Sequence, residues 1–282
     1  MRKKFMMRCC VLPLLYMTTA LPAMAAESLK LLRADRQQIP AMAYIPEAAC
    51  KGVAVISHGA GGSEKGYAYL ADALSRQGWL TVVPAHKESG TRVLGRSLLR
   101  NKPNEALTQM VTDSAAYRTR LEEIGLAKDW ARQRCPQGEA VLLGHSMGAA
   151  TTMIEAGAEN LVGVRGERRF DRYVAMSPQG SGLIFPAHAW SAIRQPVLMM
   201  TGTRDAELGG QSWQSRTEAF AEMPPGCKWL GVIDEATHSH FGGRSLSSAM
   251  EQLITGTVFA FLNGGQRCVL PAPQPGLQLQ QR

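Results

Sequence analysis

Aromatic residues make up only 6% of this 282-residue chain and charged residues only 19%. No stripe of Lys and Arg interleaved with aromatics occurs, which argues against nucleic acid as a partner. There is no Cys-x-x-Cys pair, so neither a zinc ribbon nor a dithiol redox centre is encoded. No apolar run reaches the ~20 residues of a membrane span, and no internal repeat or long linker divides the chain. What remains, at 45% hydrophobic residues, is enough for one domain with an ample core.

The N-terminus has a different character. Arg2, Lys3, Lys4 and Arg8 precede an apolar stretch from Val11 to Leu21, and Ala23-Met24-Ala25 supplies small residues at a cleavage site. This is the pattern of a secretory signal cut after Ala25, and it predicts export to the periplasm or the medium with no stable membrane insertion afterwards. The full chain carries a formal charge of +8; without residues 1–25 it has 27 basic and 23 acidic side chains, a net +4. Cys9 and Cys10 leave with the signal. Cys50, Cys135, Cys227 and Cys268 stay, an even number that suggests two disulfides in an exported chain, with three pairings open.

From residue 52 onward, β-rich apolar runs alternate with stretches of helical period. Strands are predicted at 53–56, 79–83, 140–143, 172–176, 197–201 and 229–233. Helices are predicted at 67–74, 106–124, after 146, at 212–222 and at 246–262. Segments near 28–33 and 40–45 would add an antiparallel edge hairpin. Continuous apolar strands joined by helical crossovers imply an α/β domain, a mostly parallel sheet with helices on both faces, over residues 26–270. The Pro- and Gln-rich stretch 271–282 is expected to be a disordered tail. Residues 178–195 form an irregular insertion of the kind that serves as a short lid or a plain surface loop.

The stretch "VLLGHSMGAA", Val141 to Ala150, places Ser146 between two glycines directly after a strand. Glycines at these flanks allow a sharp strand-to-helix turn that exposes the hydroxyl. A serine nucleophile needs a base and a group to orient that base. Asp205 follows the strand 197–201 in "MMTGTRD", and His238 follows the strand 229–233 in "IDEATHSHFGG". Both would emerge at the same sheet edge as Ser146. In "VISHGAGGS" a glycine-rich loop follows the first central strand, and the N–H groups of Ala60 and Met147 are the candidate oxyanion donors.

The set "SHGAGGS", "GHSMGA", "TGTRD" and "ATHSHF", in the chain order Ser, Asp, His, resembles the α/β-hydrolase family. The likeness is to the branch of dienelactone-hydrolase-like proteins, platelet-activating-factor acetylhydrolases and cutinase-like polyester hydrolases, and it covers about residues 28–263. It implies an α/β-hydrolase fold with a mostly parallel sheet of about eight strands. It also implies a cofactor-free Ser146–His238–Asp205 triad acting through an acyl-enzyme on small to medium esters, with Ala60 and Met147 lining the oxyanion hole. Alternatives are a lipid, phospholipid or polyester hydrolase, or an inactive binding protein on the same fold. Dienelactone hydrolases proper use cysteine where this chain has Ser146. Cutinase-like polyester hydrolases carry aromatics where it has Ala60 and Gln179.

His240 competes with His238 for the base, and Asp234 with Asp205 for the acid. His58 and His145 read as structural hydrogen-bonding groups. His188, His238 and His240 lack the spacing of a metal site. Phe185 and Trp190 fit either a pocket wall or core packing. In the fold implied by the resemblance the strands after Cys50 and Cys135 are neighbours, and the last helix returns Cys268 toward Cys227. The pairing implied is Cys50 with Cys135 and Cys227 with Cys268.

Overall fold

The computed structural model describes residues 26–206, 210, 212–264 and 268–282; the expected signal segment 1–25 lies outside the described residues. In chain order the elements are β1 (Ala26–Leu32), β2 (Gln38–Tyr44), β3 (Gly52–Ser57), α1 (Ala68–Arg76), β4 (Trp79–Pro84), α2 (Thr91–Leu98), α3 (Pro103–Val111), α4 (Ser114–Arg134), β5 (Glu139–His145), α5 (Met147–Glu155), β6 (Arg172–Met176), β7 (Val197–Arg204), α6 (Glu218–Glu222), β8 (Lys228–Thr237), α7 (His238–Phe241), α8 (Ser248–Asn263) and β9 (Leu277–Gln281).

One sheet runs in the order β1-β2-β4-β3-β5-β6-β7-β8-β9. Strands β3 through β8 are parallel, while β1, β2 and β9 add antiparallel edges. Strands β3, β4 and β6 are buried along their whole length, as their predominantly apolar sequences require when helices cover both faces. Packed on one face are α4 and α5, through Ala116, Ile124, Met153 and Ile154. The other face is covered by α1 and α8, through Leu70, Leu74, Ile254 and Phe261. The chain leaves β3 toward β4 on one side and later enters β5 on the other. The crevice at this switch point opens at the C-terminal ends of β3 and β5.

Two expectations need correction. Residues 271–282 are not a disordered tail, because Leu277–Gln281 pairs antiparallel with Trp229–Ile233 as a ninth strand. Its alternation explains this: Leu277 and Leu279 pack into the core beside β8 while the glutamines face outward, and an edge strand needs only one apolar face. The helix expected at 106–124 is two helices. Asp113 ends the first and caps the second, its carboxylate accepting from the N–H groups of Ala115 (2.8 Å) and Ala116 (3.4 Å). The insertion is anchored from within, with Phe185 and Trp190 fully buried and their ring centroids 5.3 Å apart.

Cys50 is bonded to Cys135 and Cys227 to Cys268, with Cα separations of 5.9 and 5.5 Å. Each cross-link ties a segment leading into the sheet to the end of a helix on its face. Replacing Cys227 and Cys268 together with alanine is expected to cost about 2–4 kcal/mol. In a thermal melt this should lower Tm by roughly 5–12 °C, and an unchanged Tm would show that the bond adds nothing.

Candidate active site

Ser146 links β5 to α5 with φ 56° and ψ −120°, a conformation a non-glycine residue holds only when its surroundings enforce it. The enforcement is steric. A methyl group on Gly148 would run into the carbonyl of Ser57, and one on Gly144 into the peptide of Gly148. The two flanking glycines therefore let β5, the turn and the end of β3 pack backbone against backbone. Met147 is the first residue of α5, so its N–H has no acceptor within the helix.

The loop after β3 is fixed by its own amides. Gly59 N–H donates to the Tyr67 hydroxyl, Gly61 N–H to the Ser89 carbonyl and Gly62 N–H to the Gly59 carbonyl. The N–H of Ala60 between them has no acceptor among the described residues. Ala60, Ser146 and His238 line one cavity of about 630 Å³, walled further by Leu107, Val111, Leu183 and Ile184. Ser146 and His238 also line a smaller cavity of about 290 Å³ on the side of the glycine loop.

His238 sits where β8 gives way to α7, and its Nδ1 is 2.9 Å from Oδ1 of the fully buried Asp205 just past β7. Thr201 donates to the other carboxylate oxygen at 3.0 Å. Burial alone would raise the Asp205 carboxyl, but its hydrogen bond to His238 and the charge of Arg216 outweigh burial and hold it below its ordinary value. His238 Nδ1 thus faces an ionised acceptor, and Nε2 takes no part in that bond.

The competing candidates fall elsewhere. His240 is a capping group whose Nδ1 accepts from the N–H of Thr237 at 3.1 Å. Asp234 is exposed on β8. His188 is 86% exposed and lies 3.6 Å from Glu222. Among the described residues no cluster of His, Cys, Asp and Glu could hold a metal ion. His58 is held between the carbonyls of Ala85 (2.6 Å) and Gly59 (2.7 Å), and burial, helped by Arg120, lowers it to about 4.

Arg216, which no motif singles out, is buried beneath the site. Its Nε donates to the Asp205 carbonyl at 2.7 Å and lies 3.1 Å from Asp205 Oδ1. Its Nη1 donates to the carbonyls of Ser177 and Pro178, both at 3.0 Å, and its Nη2 to that of Ala206 at 3.0 Å. One planar fork thereby pins the loops after β6 and β7 to the carboxylate that orients His238.

A second chain reaches His238 from the opposite side. The Tyr67 hydroxyl accepts from Gly59 N–H at 3.1 Å and so donates to His145 Nδ1 at 2.7 Å. That places the His145 hydrogen on Nε2, which donates to the His238 carbonyl at 3.0 Å. Burial, reinforced by the neighbouring His238, keeps His145 neutral by lowering it well below its ordinary value. The glycine loop, the residue before Ser146 and the backbone of His238 are thus joined by hydrogen bonds of a single polarity.

No protein-family model and no curated protein matches the chain. Solved structures do. A protein from Klebsiella pneumoniae described as a dienelactone hydrolase superposes with a TM-score of 0.59 at 15% identity, over 86% of this chain and 99% of that one. An acylaminoacyl peptidase from Pyrococcus horikoshii gives 0.61 at 11% identity over 90% of this chain, which spans only 44% of the peptidase. A cold-adapted esterase from an Arctic intertidal metagenomic library gives 0.57 at 18% identity, over 83% of this chain and 90% of that one. The chain has the α/β-hydrolase fold.

Tyr67→Phe keeps the ring and removes the hydroxyl that sets the His145 tautomer. Nitrogen-15 shifts of His145 should move from the pattern of a single Nε2–H form to a mixture, with a loss of about 1 kcal/mol in stability. An unchanged His145 signal would mean that Tyr67 does not set the tautomer.

Proposed function

We propose that the protein is an exported serine ester hydrolase acting on uncharged esters with a small to medium acyl group. The observation that carries this reading is the convergence, in one largely apolar cavity, of a hydroxyl on a strained turn, an Asp-oriented histidine and Ala60, whose backbone N–H has no acceptor among the described residues. In the proposed reaction Nε2 of His238 takes the Ser146 proton as the hydroxyl attacks the ester carbonyl. Asp205 stabilises the imidazolium that forms. The N–H groups of Ala60 and Met147 receive the tetrahedral oxyanion, each such donor contributing about 3 kcal/mol to the transition state. His238 returns the proton to the leaving alcohol, and water releases the acid by the same route.

Substrate charge follows from the walls. Among the described residues Arg216 is the one permanently charged side chain lining the larger cavity, and its fork is directed to carbonyls and Asp205. An anionic acyl group would be desolvated there without a partner. Ala60 and Gln179 stand where polyester hydrolases of the cutinase type carry aromatics, so a stacked aromatic polymer is the poorer fit. Export is supported by the N-terminal signal pattern and by two disulfides, which persist in oxidising compartments.

The test is hydrolysis of a short-chain chromogenic ester by the mature protein, with a fluorophosphonate label located by mass spectrometry. The expected result is turnover, a label on Ser146, and a loss of about 10⁴-fold or more for Ser146→Ala or Asp205→Asn. Folded wild-type protein that neither turns over nor takes the label would overturn the hydrolase reading in favour of a binding protein.

A further inference from the structure

Helix α2 and the turn after it play no part in the chemistry just described, and their surface is unusual for this chain. Between Thr91 and Asn104 there are four cations, Arg92, Arg96, Arg100 and Lys102, and no acid. All four are exposed, and among the described residues none forms an ion pair. The arginines recur every fourth residue, which aligns them along one side of the helix and its continuing turn. Leu99 beside them is 86% exposed and Leu98 is 44% exposed, an arrangement with no packing function within the chain.

The inner side of the same helix is anchored. The Thr91 hydroxyl donates to the Gly61 carbonyl at 2.9 Å, and Leu94 packs against Gly61. Helix α2 also packs on α3, whose Leu107, Thr108 and Val111 line the larger cavity, and the cavity rim carries the exposed Leu183. A basic, leucine-tipped element is thereby rigidly joined to the wall of an apolar cavity.

We propose that α2 and its following turn dock the protein on an anionic lipid surface, with the arginine stripe against the headgroups and Leu99 at the acyl boundary. Charge complementarity identifies the occupant as anionic, and the exposed Leu99 distinguishes a lipid surface from a purely polar polyanion. In combination with the proposed hydrolase activity, this makes lipid-dissolved neutral esters the substrates that reach the site.

The test uses mature protein carrying Ser146→Ala, so that binding is read without turnover. Co-sedimentation is measured with phosphatidylcholine vesicles and with vesicles containing 30% phosphatidylglycerol (roughly the anionic fraction needed for a strong surface potential). The protein should sediment with the anionic vesicles alone and be released at high salt. Arg92→Glu, Arg96→Glu and Arg100→Glu together should weaken binding by at least ~20-fold, and Leu99→Ser should weaken it several-fold. In the active background these variants should leave turnover of a soluble ester unchanged. Absence of sedimentation, or variants that bind like the parent, would overturn the proposal. So would equal competition by a soluble polyanion such as dextran sulfate with no effect of Leu99→Ser. Failure of the hydrolase reading would appear separately, as wild-type protein inert toward the soluble ester.

Discussion

The site rests on the contact between the ends of two adjacent parallel strands. Ser57 of β3 is in register with Gly144 of β5, and the backbone of α5 at Gly148 lies directly against the Ser57 carbonyl. This approach sets the distance between the glycine loop and the Ser146 turn, and therefore between the candidate oxyanion donors and the candidate nucleophile. It also explains the left-handed φ of Ser146, because a relaxed turn would carry α5 away from β3. Everything else around the site holds these two strand ends and their loops in place.

Buried polar groups do much of the holding. Behind the glycine loop, Arg120 donates to the His58 carbonyl at 2.7 Å and to the Ser57 hydroxyl at 3.1 Å. Ser57 in turn reaches His86 Nε2 at 2.9 Å, and His86 Nδ1 lies 2.6 Å from Glu123, which Arg33 also engages at 3.0 Å. Burial depresses His86 and raises Glu123 to about 8. This is a Ser-His-Glu sequence of hydrogen bonds with no access from solvent, since all three residues are fully buried. The same constellation that reads as chemistry at Ser146 is structural at Ser57, and access is what separates them. Such networks are demanding, because any unpaired member is costly in the low-dielectric interior, and that demand fixes the loop geometry.

The parts of the molecule legible in the sequence are those governed by local rules. The buried strands, the turn at Ser146 and the positions of Asp205 and His238 after strands follow from apolar runs and punctuation. Arg216 and Tyr67 carry no such mark: their partners lie far along the chain, as with Tyr67 and His145, 78 residues apart. A lone arginine in a polar stretch reads as solvated until the fold encloses it. Strand β9 was hidden by its glutamines, since composition suggested a chain with too little to bury. The break between α3 and α4 was legible in principle, because an aspartate followed by a helical run is an N-cap signal that periodicity alone passes over.

Helix α2 shows how one short element can serve two physical demands without conflict. Its inner side is constrained by the glycine loop, where Leu94 and Thr91 meet Gly61, and changes there would be felt at Ala60, a candidate oxyanion donor. Its outer side meets only solvent, so charge and apolar area there are free of packing constraints. Helical periodicity separates the two sets, since residues four apart share a face and residues two apart do not. A surface preference can therefore be built on Arg92, Arg96 and Arg100 at little cost to the site. Because the helix is tied to the loop by hydrogen bonds and not by a flexible linker, any surface that orients the helix also orients the cavity that opens beside it.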